Sequence, residues 1–309
     1  MADTRPLPIP TGGRDDLRID ASRCLRMRFS ACGCRRCADA CPHAAVTLEG
    51  VLSINADRCT GCLICTVVCA SGALEPNGDF AAGLAQLSRV PEPVLGCIRT
   101  REKAHATMTC LGGLSEEHLV TLSRSLSGKL SLNLTACGDC PNRAMIAPLQ
   151  QRVDELSEAG LLDGSCQIAL VRSPQDMHYH DEGVGRRSFF KSLRNSLFQS
   201  AAMVLSPPNG ESERHAAYVG KRVPIRRELL NSIRQDVSQE LAARMEKRFD
   251  WSVSFDASCT GCQGCVAICP TGALQTVRSD LPPAFDQLLC TGCELCREFC
   301  LDEALHISK

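Results

Sequence analysis

The sequence predicts an α+β protein in which two cysteine-rich modules flank a central α/β domain. Three observations predict this architecture. The 309 residues include 22 cysteines but only 4% aromatic residues, so bound inorganic groups are expected to replace part of an ordinary core. One cysteine spacing recurs near both ends of the chain, and strand and helix patterns alternate between these ends.

The cysteines are expected to bind metal rather than to form disulfides. The beginning of the chain, MADTRPLPIPTGG, lacks an apolar run after a basic segment and does not resemble a secretory signal. A reducing cytoplasm is therefore the expected location. No apolar run has the length that a membrane-spanning helix needs, although a peripheral association with a membrane complex stays open. A net charge of −1 gives no reason to expect nucleic-acid binding.

Composition and pattern divide the chain into six segments. They are a disordered start (1–14), an N-terminal module (15–75), a linker (76–93), a central α/β domain with a cysteine site (94–172), a helical connecting region (173–249) and a C-terminal module (250–309). The linker is predicted from its prolines and glycine, which interrupt regular structure.

Three segments share the spacing Cys-x2-Cys-x2-Cys-x3-Cys. They span 54–74, 255–274 and 285–305, and each has Thr-Gly between its first two cysteines. An aspartate or asparagine precedes the first cysteine of each segment by three or four residues. Three thiolates on one tight turn can surround a metal cluster, and glycine lets the backbone approach it closely. Zinc is less expected, since four-cysteine zinc sites usually combine two separate Cys-x2-Cys knuckles.

Residues 23–42, RCLRMRFSACGCRRCADACP, form a degenerate fourth copy with five cysteines. Its end, CPHAAV, aligns with CPTGAL of an intact copy, and this register fixes its later ligands as Cys34, Cys37 and Cys41. The first position of the spacing falls on Ala31, which cannot bind metal. The preceding IDASRC parallels INADRC of another copy, so Cys24 is the preferred first ligand, and Cys32 is the rival.

These motifs resemble the bacterial-type ferredoxins with two [4Fe-4S] clusters, at about 250–309 and again at about 15–76. The resemblance implies a ferredoxin-like dicluster module at each end, in which the fourth cysteine of each copy binds the other cluster. It implies four ligand sets: Cys24, Cys34, Cys37 and Cys69 (set 1); Cys41, Cys59, Cys62 and Cys65 (set 2); Cys259, Cys262, Cys265 and Cys300 (set 4); Cys269, Cys290, Cys293 and Cys296 (set 5).

The middle of the chain has alternating strand and helix patterns. Strands are predicted at 94–97, 107–110, 130–134 and 167–172, and helices at 114–126 and about 143–159. Cysteines lie at the ends of these strands, and parallel strands would bring them to one edge of the sheet. The central set is therefore Cys97, Cys110, Cys137 and Cys140, which are candidate ligands of a fifth cluster, either [4Fe-4S] or [2Fe-2S].

This layout is similar to that of the hydrogenase iron-sulfur (delta-type) subunits and, more loosely, to thioredoxin-like [2Fe-2S] ferredoxins. The resemblance implies a thioredoxin-like or flavodoxin-like central domain. The competing interpretation is a thiol/disulfide pair, because Cys137-Gly-Asp-Cys140 before a helix looks like a thioredoxin redox motif. Cys166 has no partner at a useful spacing and is predicted to be a buried free thiol.

Four other features are assigned structural roles. His178 and His180 are expected in a surface loop rather than in a metal site. The segment 185–191, GRRSFFK, looks like a twin-arginine export signal but is internal, so a basic amphipathic helix is predicted there. Residues 206–218 are predicted to be a flexible linker. Residues 225–248 are predicted to form one long amphipathic helix that braces the modules or packs on another subunit.

The sequence contains no defensible constellation for substrate chemistry, so the predicted function is iron-sulfur electron transport. The chain is expected to be a relay subunit of a larger oxidoreductase complex of the hydrogenase, formate dehydrogenase or heterodisulfide reductase type. Its expected partners are redox proteins that carry flavin, molybdenum or nickel-iron. The alternatives are a thiol/disulfide redox enzyme or an iron-sulfur scaffold or maturation protein that uses Cys137 and Cys140, and a regulatory sensor.

Overall fold

The computed structural model describes residues 15–180 and 221–309. The predicted disordered start at 1–14, the segment at 185–191 and the predicted linker at 206–218 lie outside the described residues. Within these two ranges the strands form four short antiparallel ladders and one four-stranded parallel sheet. No helix of the described ranges has the length and apolarity that a bilayer crossing requires.

The N-terminal segment contains two of the short ladders. Its elements are β1 (Leu17–Ile19), a 3-10 turn (Ala21–Arg23), α1 (Leu25–Arg28), α2 (Arg36–Asp39), β2 (Val46–Thr47), β3 (Ser53–Ile54), α3 (Ile64–Val68) and β4 (Leu74–Pro76). β1 pairs with β4 and β2 pairs with β3, both antiparallel. Because the outer ladder joins the two ends of the segment, α2 and α3, one from each cysteine motif, pack together.

The segment predicted as a linker contains a helix, α4 (Phe80–Leu87). Asp79 caps it, since its carboxylate accepts the backbone N–H of Ala82 at 2.9 Å. Leu87 is fully buried, and Phe80 and Leu84 pack against the central core. The helix forms because apolar residues recur on one face, a signal that the neighbouring prolines and glycine obscure.

The central sheet is parallel throughout, in the order β6-β5-β7-β8. Its strands are β5 (Val94–Cys97), β6 (Ala106–Met108), β7 (Gly128–Asn133) and β8 (Cys166–Val171), close to the predicted positions. The helices α5 (Glu116–Ser125) and α6 (Ile146–Glu158) contribute buried leucines to the core. The Ser115 side chain caps α5, and Gly160, at φ +62°, ends α6 in the left-handed conformation that glycine tolerates.

The prediction of one continuous helix at 225–248 is wrong. The structure contains α7 (Ile225–Ser232) and α8 (Gln239–Phe249), separated by a 3-10 turn at Arg234–Asp236. Ser238 begins α8, and its hydroxyl accepts the backbone N–H of Leu241 at 3.3 Å. A serine that caps a new helix competes with continuation of the previous one, and the apolar periodicity does not reveal this.

The C-terminal segment repeats the ladder arrangement of the N-terminal one. Its elements are β9 (Ser252–Phe255), α9 (Gly264–Ile268), β10 (Leu274–Gln275), β11 (Ala284–Phe285), α10 (Leu295–Glu298) and β12 (Leu305–Ser308). β9 pairs with β12 and β10 with β11, both antiparallel, and α9 packs against α10. Apart from the 3-10 turn at Ala21–Arg23 and α1, the order of elements and ladders is therefore the same at both ends.

Two arginines of α7 hold the three parts of the chain together. Arg226 donates to the backbone carbonyl of Cys69 at 2.9 Å in the N-terminal segment and pairs with Glu117 of the central domain at 3.0 Å. Arg227 donates to the carbonyl of Phe249 at 3.0 Å and forms a buried ion pair with Asp250 at 2.6 Å. Breaking a buried charge pair is strongly destabilising, so these contacts make α7 a brace between the modules.

Candidate metal centres

The three intact cysteine motifs have the same backbone conformation. The glycine before the second cysteine and the residue after it are both left-handed in every copy: Gly61 (φ 69°) and Leu63 (61°), Gly261 (68°) and Gln263 (59°), Gly292 (60°) and Glu294 (64°). Non-glycine residues rarely adopt this conformation. Its recurrence at one position shows that the common spacing builds one common turn.

The lead-in to the first cysteine is identical in all four copies. The backbone N–H of its Asp or Asn donates to an alanine carbonyl of the paired copy: Asp20 to Ala73 (2.8 Å), Asn55 to Ala45 (2.8 Å), Asp256 to Ala304 (3.0 Å) and Asp286 to Ala273 (2.8 Å). Each side chain also accepts a backbone N–H two or three residues farther along. The degenerate copy therefore has the same lead-in turn, and this turn ends at Cys24.

The tail after the fourth cysteine is also shared by all four copies. The third residue beyond that cysteine is left-handed in each: Ala44 (φ 45°), Gly72 (67°), Gly272 (78°) and Glu303 (51°). The degenerate copy differs only in its middle, where Arg35 follows Cys34 with φ −129° instead of a left-handed turn. This is where its sequence lacks the Thr-Gly pair.

The structure brings the four cysteines of set 1 together. Burial raises the pKa of the Cys37 thiol to about 12, and the nearby thiolate charges of Cys69, Cys24 and Cys34 add to the rise. Burial likewise raises the pKa of Cys24, with smaller contributions from Cys69 and Cys34. Cys24 thus lies near Cys69, although 44 residues separate the two cysteines in the sequence.

Cys32 has a different environment. It is 2% exposed and belongs to the apolar core of the C-terminal segment. Burial raises its pKa to about 11, a hydrogen bond with Glu298 adds to the rise, and Cys34 contributes less. The structure therefore places Cys32 at the junction with the C-terminal segment, and Cys24 among the members of set 1.

Sets 2 and 5 each line one cavity. All four cysteines of set 2 surround the first, and all four of set 5 surround the second. Burial raises the pKa of Cys65, and the charges of Cys62, Cys59, Cys37 and Cys41 raise it further. A shared cavity rimmed by four sulfurs is the arrangement that a multi-atom cluster requires.

Set 4 is brought together in part. Burial raises the pKa of Cys265 to about 11, with further contributions from Cys262 and Cys259. Cys300 packs against the same apolar core as Cys265. Cys262 is exposed, which places one edge of this set at the protein surface.

The central cysteines converge at the C-terminal edge of the parallel sheet. Burial raises the pKa of Cys110 to about 12, and Cys97, Cys62 and Cys137 add to it. Burial also raises the pKa of Cys137 to about 11, and Cys97 and Cys140 add to it. Because Cys62 belongs to set 2, the central set lies next to the N-terminal segment.

The donor chemistry of these sets fits iron-sulfur clusters. All 22 cysteines are free, and buried, crowded thiols give up their protons only when a cationic group compensates the charge. Within the described ranges, no three His, Cys, Asp or Glu side chains converge closely enough to hold a single metal ion. When bound, a cluster supplies one-electron redox chemistry at such a set.

Neighbouring sets form one continuous series. The thiolate charges of Cys265 and Cys296 act on each other between sets 4 and 5, and those of Cys37 and Cys65 do so between sets 1 and 2. Cys62 and Cys110 connect set 2 to the central set in the same way. These contacts give two runs, one from set 4 to set 5 and one from set 1 through set 2 to the central set. A contact between sets 5 and 1 joins the two runs into the order set 4, set 5, set 1, set 2 and central set.

That contact is made by residues of the degenerate copy. Arg28 donates to the carbonyls of Ile268 and Ala267 at 3.0 and 3.2 Å, next to Cys269. The rings of Phe29 and Phe299 meet edge to face with centroids 5.2 Å apart. The extra residues between the first and second ligands of the degenerate copy thus form the contact between the two segments.

The sequence alone does not show which cysteine set each arginine lies near. Five of them cluster near set 1 in the sequence: Arg23, Arg26, Arg28, Arg35 and Arg36. In the structure Arg36 lies near Cys293 of set 5, and its charge opposes the rise in that pKa. Arg23 stays close to Cys69, in a buried network around Glu75. No sequence motif points to Arg99, which lies at the central set, where a hydrogen bond with Cys140 raises its pKa.

The remaining candidate residues lie away from these sets. Cys166 is fully buried in β8, as expected for a structural thiol. His178 and His180 are exposed in a loop, and the His180 carbonyl contacts His105 Nε2 at 3.0 Å. Neither histidine belongs to a metal-binding group in the part of the chain that the structure describes.

Comparison with known proteins identifies one domain. Residues 258–305 match the family model described as 4Fe-4S dicluster domain, a range that includes every cysteine of sets 4 and 5. No curated protein and no solved structure matches the chain. The C-terminal part of this protein is therefore a ferredoxin-like 4Fe-4S domain, which indicates an iron-sulfur electron-transfer role.

Proposed function

We propose that this chain is a multi-cluster electron-transfer protein with four [4Fe-4S] clusters and a fifth cluster at the central set. The observation that carries the proposal is the continuous series of cysteine sets from exposed Cys262 to Cys140. A series of neighbouring redox sites that emerges at the surface at each end has the layout of a relay.

The N-terminal segment is proposed to be a second dicluster module. Support comes from its ladders, which have the same order as those of the C-terminal segment. The shared lead-in turns and tails are further support, because they reproduce the backbone of the matched domain around Cys24 and Cys41. Hydrogen bonds to sulfur, such as that of the Ala45 N–H to Cys41 at 3.3 Å, would stabilise bound thiolates.

The central set is proposed to deliver or accept electrons at the partner surface. Ile98 and Arg99 are exposed beside Cys97, and the Arg99 guanidinium donates to the carbonyl of Asp139 at 3.4 Å. A cation at this edge stabilises the more negative, reduced form of a bound group. The partner is proposed to be a flavin, molybdenum or nickel-iron subunit of a larger oxidoreductase complex in the cytoplasm.

Anaerobic stopped-flow reduction tests the relay. The protein is reduced through a small donor, and oxidation by an acceptor is followed with and without Cys137→Ser, a change confined to the central set. The relay predicts that the variant keeps its other clusters but transfers electrons slowly to an acceptor that binds at the central edge. Equal rates in both proteins would reject this role for the central set.

A thiol/disulfide enzyme is the second candidate, favoured by Cys137 and Cys140 in one loop before a helix. The high pKa of Cys137, raised to about 11 mainly by burial, disfavours it as an attacking thiolate. Alkylation of the reduced protein distinguishes the two functions. Loss of thiol-exchange activity with unchanged iron content would support the enzyme.

A further inference from the structure

The residue two positions after the fourth cysteine differs in every copy of the motif. These residues are Ser71 beside set 1, His43 beside set 2, Asp302 beside set 4 and Thr271 beside set 5. The four copies share the backbone of this tail, since the next residue is left-handed in each of them. The position is therefore equivalent in the four copies, while the chemistry of its side chain is not.

Three of these four side chains have a partner at their own cysteine set. The hydroxyls of Ser71 and Thr271 lie 3.7 and 3.6 Å from the sulfur of the fourth cysteine of their own copies. The carboxylate of Asp302 accepts the hydroxyl of Thr260, which lies between the first two cysteines of set 4, at 2.9 Å. A side chain at this position is thus directed toward the cysteines of the set.

His43 lines the cavity of set 2 without such a partner. Its Nε2 atom is buried and has no hydrogen-bond partner among the described residues. The hydroxyl of Thr60, between the first two cysteines of set 2, lines the same cavity and is also buried without a partner. A buried polar atom that stays unpaired is costly, so both atoms favour a hydrogen-bonding group inside the cavity.

We propose that Nε2 of His43 donates a hydrogen bond to a sulfur of the cluster at set 2 and raises the midpoint potential of that cluster. The inference rests on the proposed cluster at this set. The thiolates and the inorganic sulfides are anionic acceptors, which favour the neutral ring that carries its hydrogen on Nε2. A reduced cluster is more negative than an oxidised one, so a hydrogen bond to sulfur stabilises the reduced form more strongly.

The proposed hydrogen bond gives set 2 a particular place in the relay. Set 2 lies between set 1, where the equivalent residue is Ser71, and the central set. Electrons move spontaneously toward a site of higher potential. A higher potential at set 2 therefore favours an electron on the cluster next to the central set.

An EPR-monitored redox titration of the cluster-loaded full chain tests the effect on the potential. The signal of set 2 is the one that Cys59→Ala removes, together with about four iron atoms. His43→Phe removes the donor, whereas His43→Gln retains a side-chain N–H. The midpoint of the set 2 signal is expected to become more negative in His43→Phe and to shift less in His43→Gln, with unchanged iron content in both variants.

His43→Thr guards against a folding defect, because an intact copy folds with a threonine at the equivalent position 271. Its set 2 midpoint is also expected to become more negative than that of the natural chain. His178→Phe, in an exposed loop, is the matched control and is expected to leave the midpoint unchanged. A set 2 midpoint that is unchanged or more positive in both His43→Phe and His43→Thr would overturn the proposal.

Pulsed EPR of a chain labelled with ¹⁵N-histidine detects the hydrogen bond itself, which a merely structural role of His43 would not produce. A ¹⁵N hyperfine coupling to the set 2 signal is expected in the natural chain and in His178→Phe. Loss of this coupling is expected in His43→Phe. A set 2 signal that lacks the ¹⁵N coupling in the natural chain would overturn the proposal.

The same variants separate this inference from the proposed function. If Cys59→Ala removes neither iron nor an EPR signal, set 2 binds no cluster, and both the hydrogen bond and this step of the relay are overturned. If Cys59→Ala removes a cluster but the His43 variants change neither its midpoint nor its ¹⁵N coupling, the hydrogen bond alone is overturned and the relay stands.

Discussion

Replacing Cys24 with alanine is expected to remove one cluster from the protein, whereas the same change at Cys32 is expected to keep it. The reason lies in the surroundings of the two thiols. Cys24 ends a lead-in turn common to all four copies and faces Cys37 and Cys69. Cys32 packs in the C-terminal core, where it contacts Glu298.

The size of the effect follows from the ligand count. Five [4Fe-4S] clusters contain about 20 iron atoms, so loss of set 1 leaves about 16. Cys32→Ala should instead retain about 20 and lose stability by about 1–2 kcal/mol, because it removes a buried sulfur without leaving a large cavity. Iron and acid-labile sulfide are measured after anaerobic reconstitution, and urea unfolding gives the stability.

One result of comparing Cys24→Ala with Cys32→Ala would contradict the assignment of Cys24 as a ligand. If Cys32→Ala loses about four iron atoms and Cys24→Ala loses none, the shared lead-in turn does not identify the ligand. Cys166→Ala, at a buried thiol outside all sets, is the control and should retain the full iron content.

Three further predictions concern stability and potential. Arg227→Met removes one ion-pair partner of the buried Asp250 and should lower the free energy of unfolding in urea by about 3–5 kcal/mol. The control Arg278→Met, at an exposed ion pair, should lower it by less than about 1 kcal/mol. Equal decreases in the two variants would refute the bracing role of α7. Burial lowers the pKa of His118 to about 4, below its ordinary 6.5, so the unfolded chain binds the extra proton and stability falls as pH decreases between these values. His118→Gln should therefore lose less thermal stability than the natural chain on going from pH 7 to about pH 5, and parallel losses would contradict this. Arg36→Gln should lower the midpoint potential of the cluster at set 5 in an EPR titration, because a nearby cation favours the reduced form. An unchanged or higher potential would show that the charge of Arg36 does not act on that cluster.

Features with a strict local period could be predicted from the sequence. The cysteine spacing and the Asp or Asn lead-in reflect single turns, so the register of the three intact copies is readable without coordinates, and the shared lead-in favours Cys24 over Cys32 in the degenerate copy. The central strands were placed correctly because each is a short apolar run that ends near a cysteine, and the Ser115 cap begins α5 as expected.

Features that depend on distant partners could not be predicted. The arginines near set 1 in the sequence suggest a higher potential for the N-terminal clusters than for the C-terminal ones. The structure divides that charge, since Arg36 lies near set 5 and Arg28 binds carbonyls of the C-terminal segment. The prediction of higher N-terminal potentials stays open to an EPR titration, but two of the five arginines on which it rests also contact or act on the C-terminal segment.

A cavity of about 100 Å³ lined by His118, between the N-terminal segment and the central domain, is a second such feature. Its lining comes from α4, the set 2 turn and α5, which the sequence separates widely. No local pattern marks His118 as more than a helix-capping residue, and α4 itself lies in a segment whose prolines suggest a linker. Tertiary packing alone creates the space between these elements.

The iron content of the full chain, with Mössbauer spectroscopy of the ⁵⁷Fe-loaded protein, tests the central claim most directly. The account predicts about 20 iron atoms per chain, or about 18 if the central cluster is [2Fe-2S], with cubane signatures dominating the spectrum. About 16 iron atoms would leave the central set without a cluster and break the proposed relay at that end. About 8 iron atoms, the content of the matched C-terminal domain alone, would contradict the account.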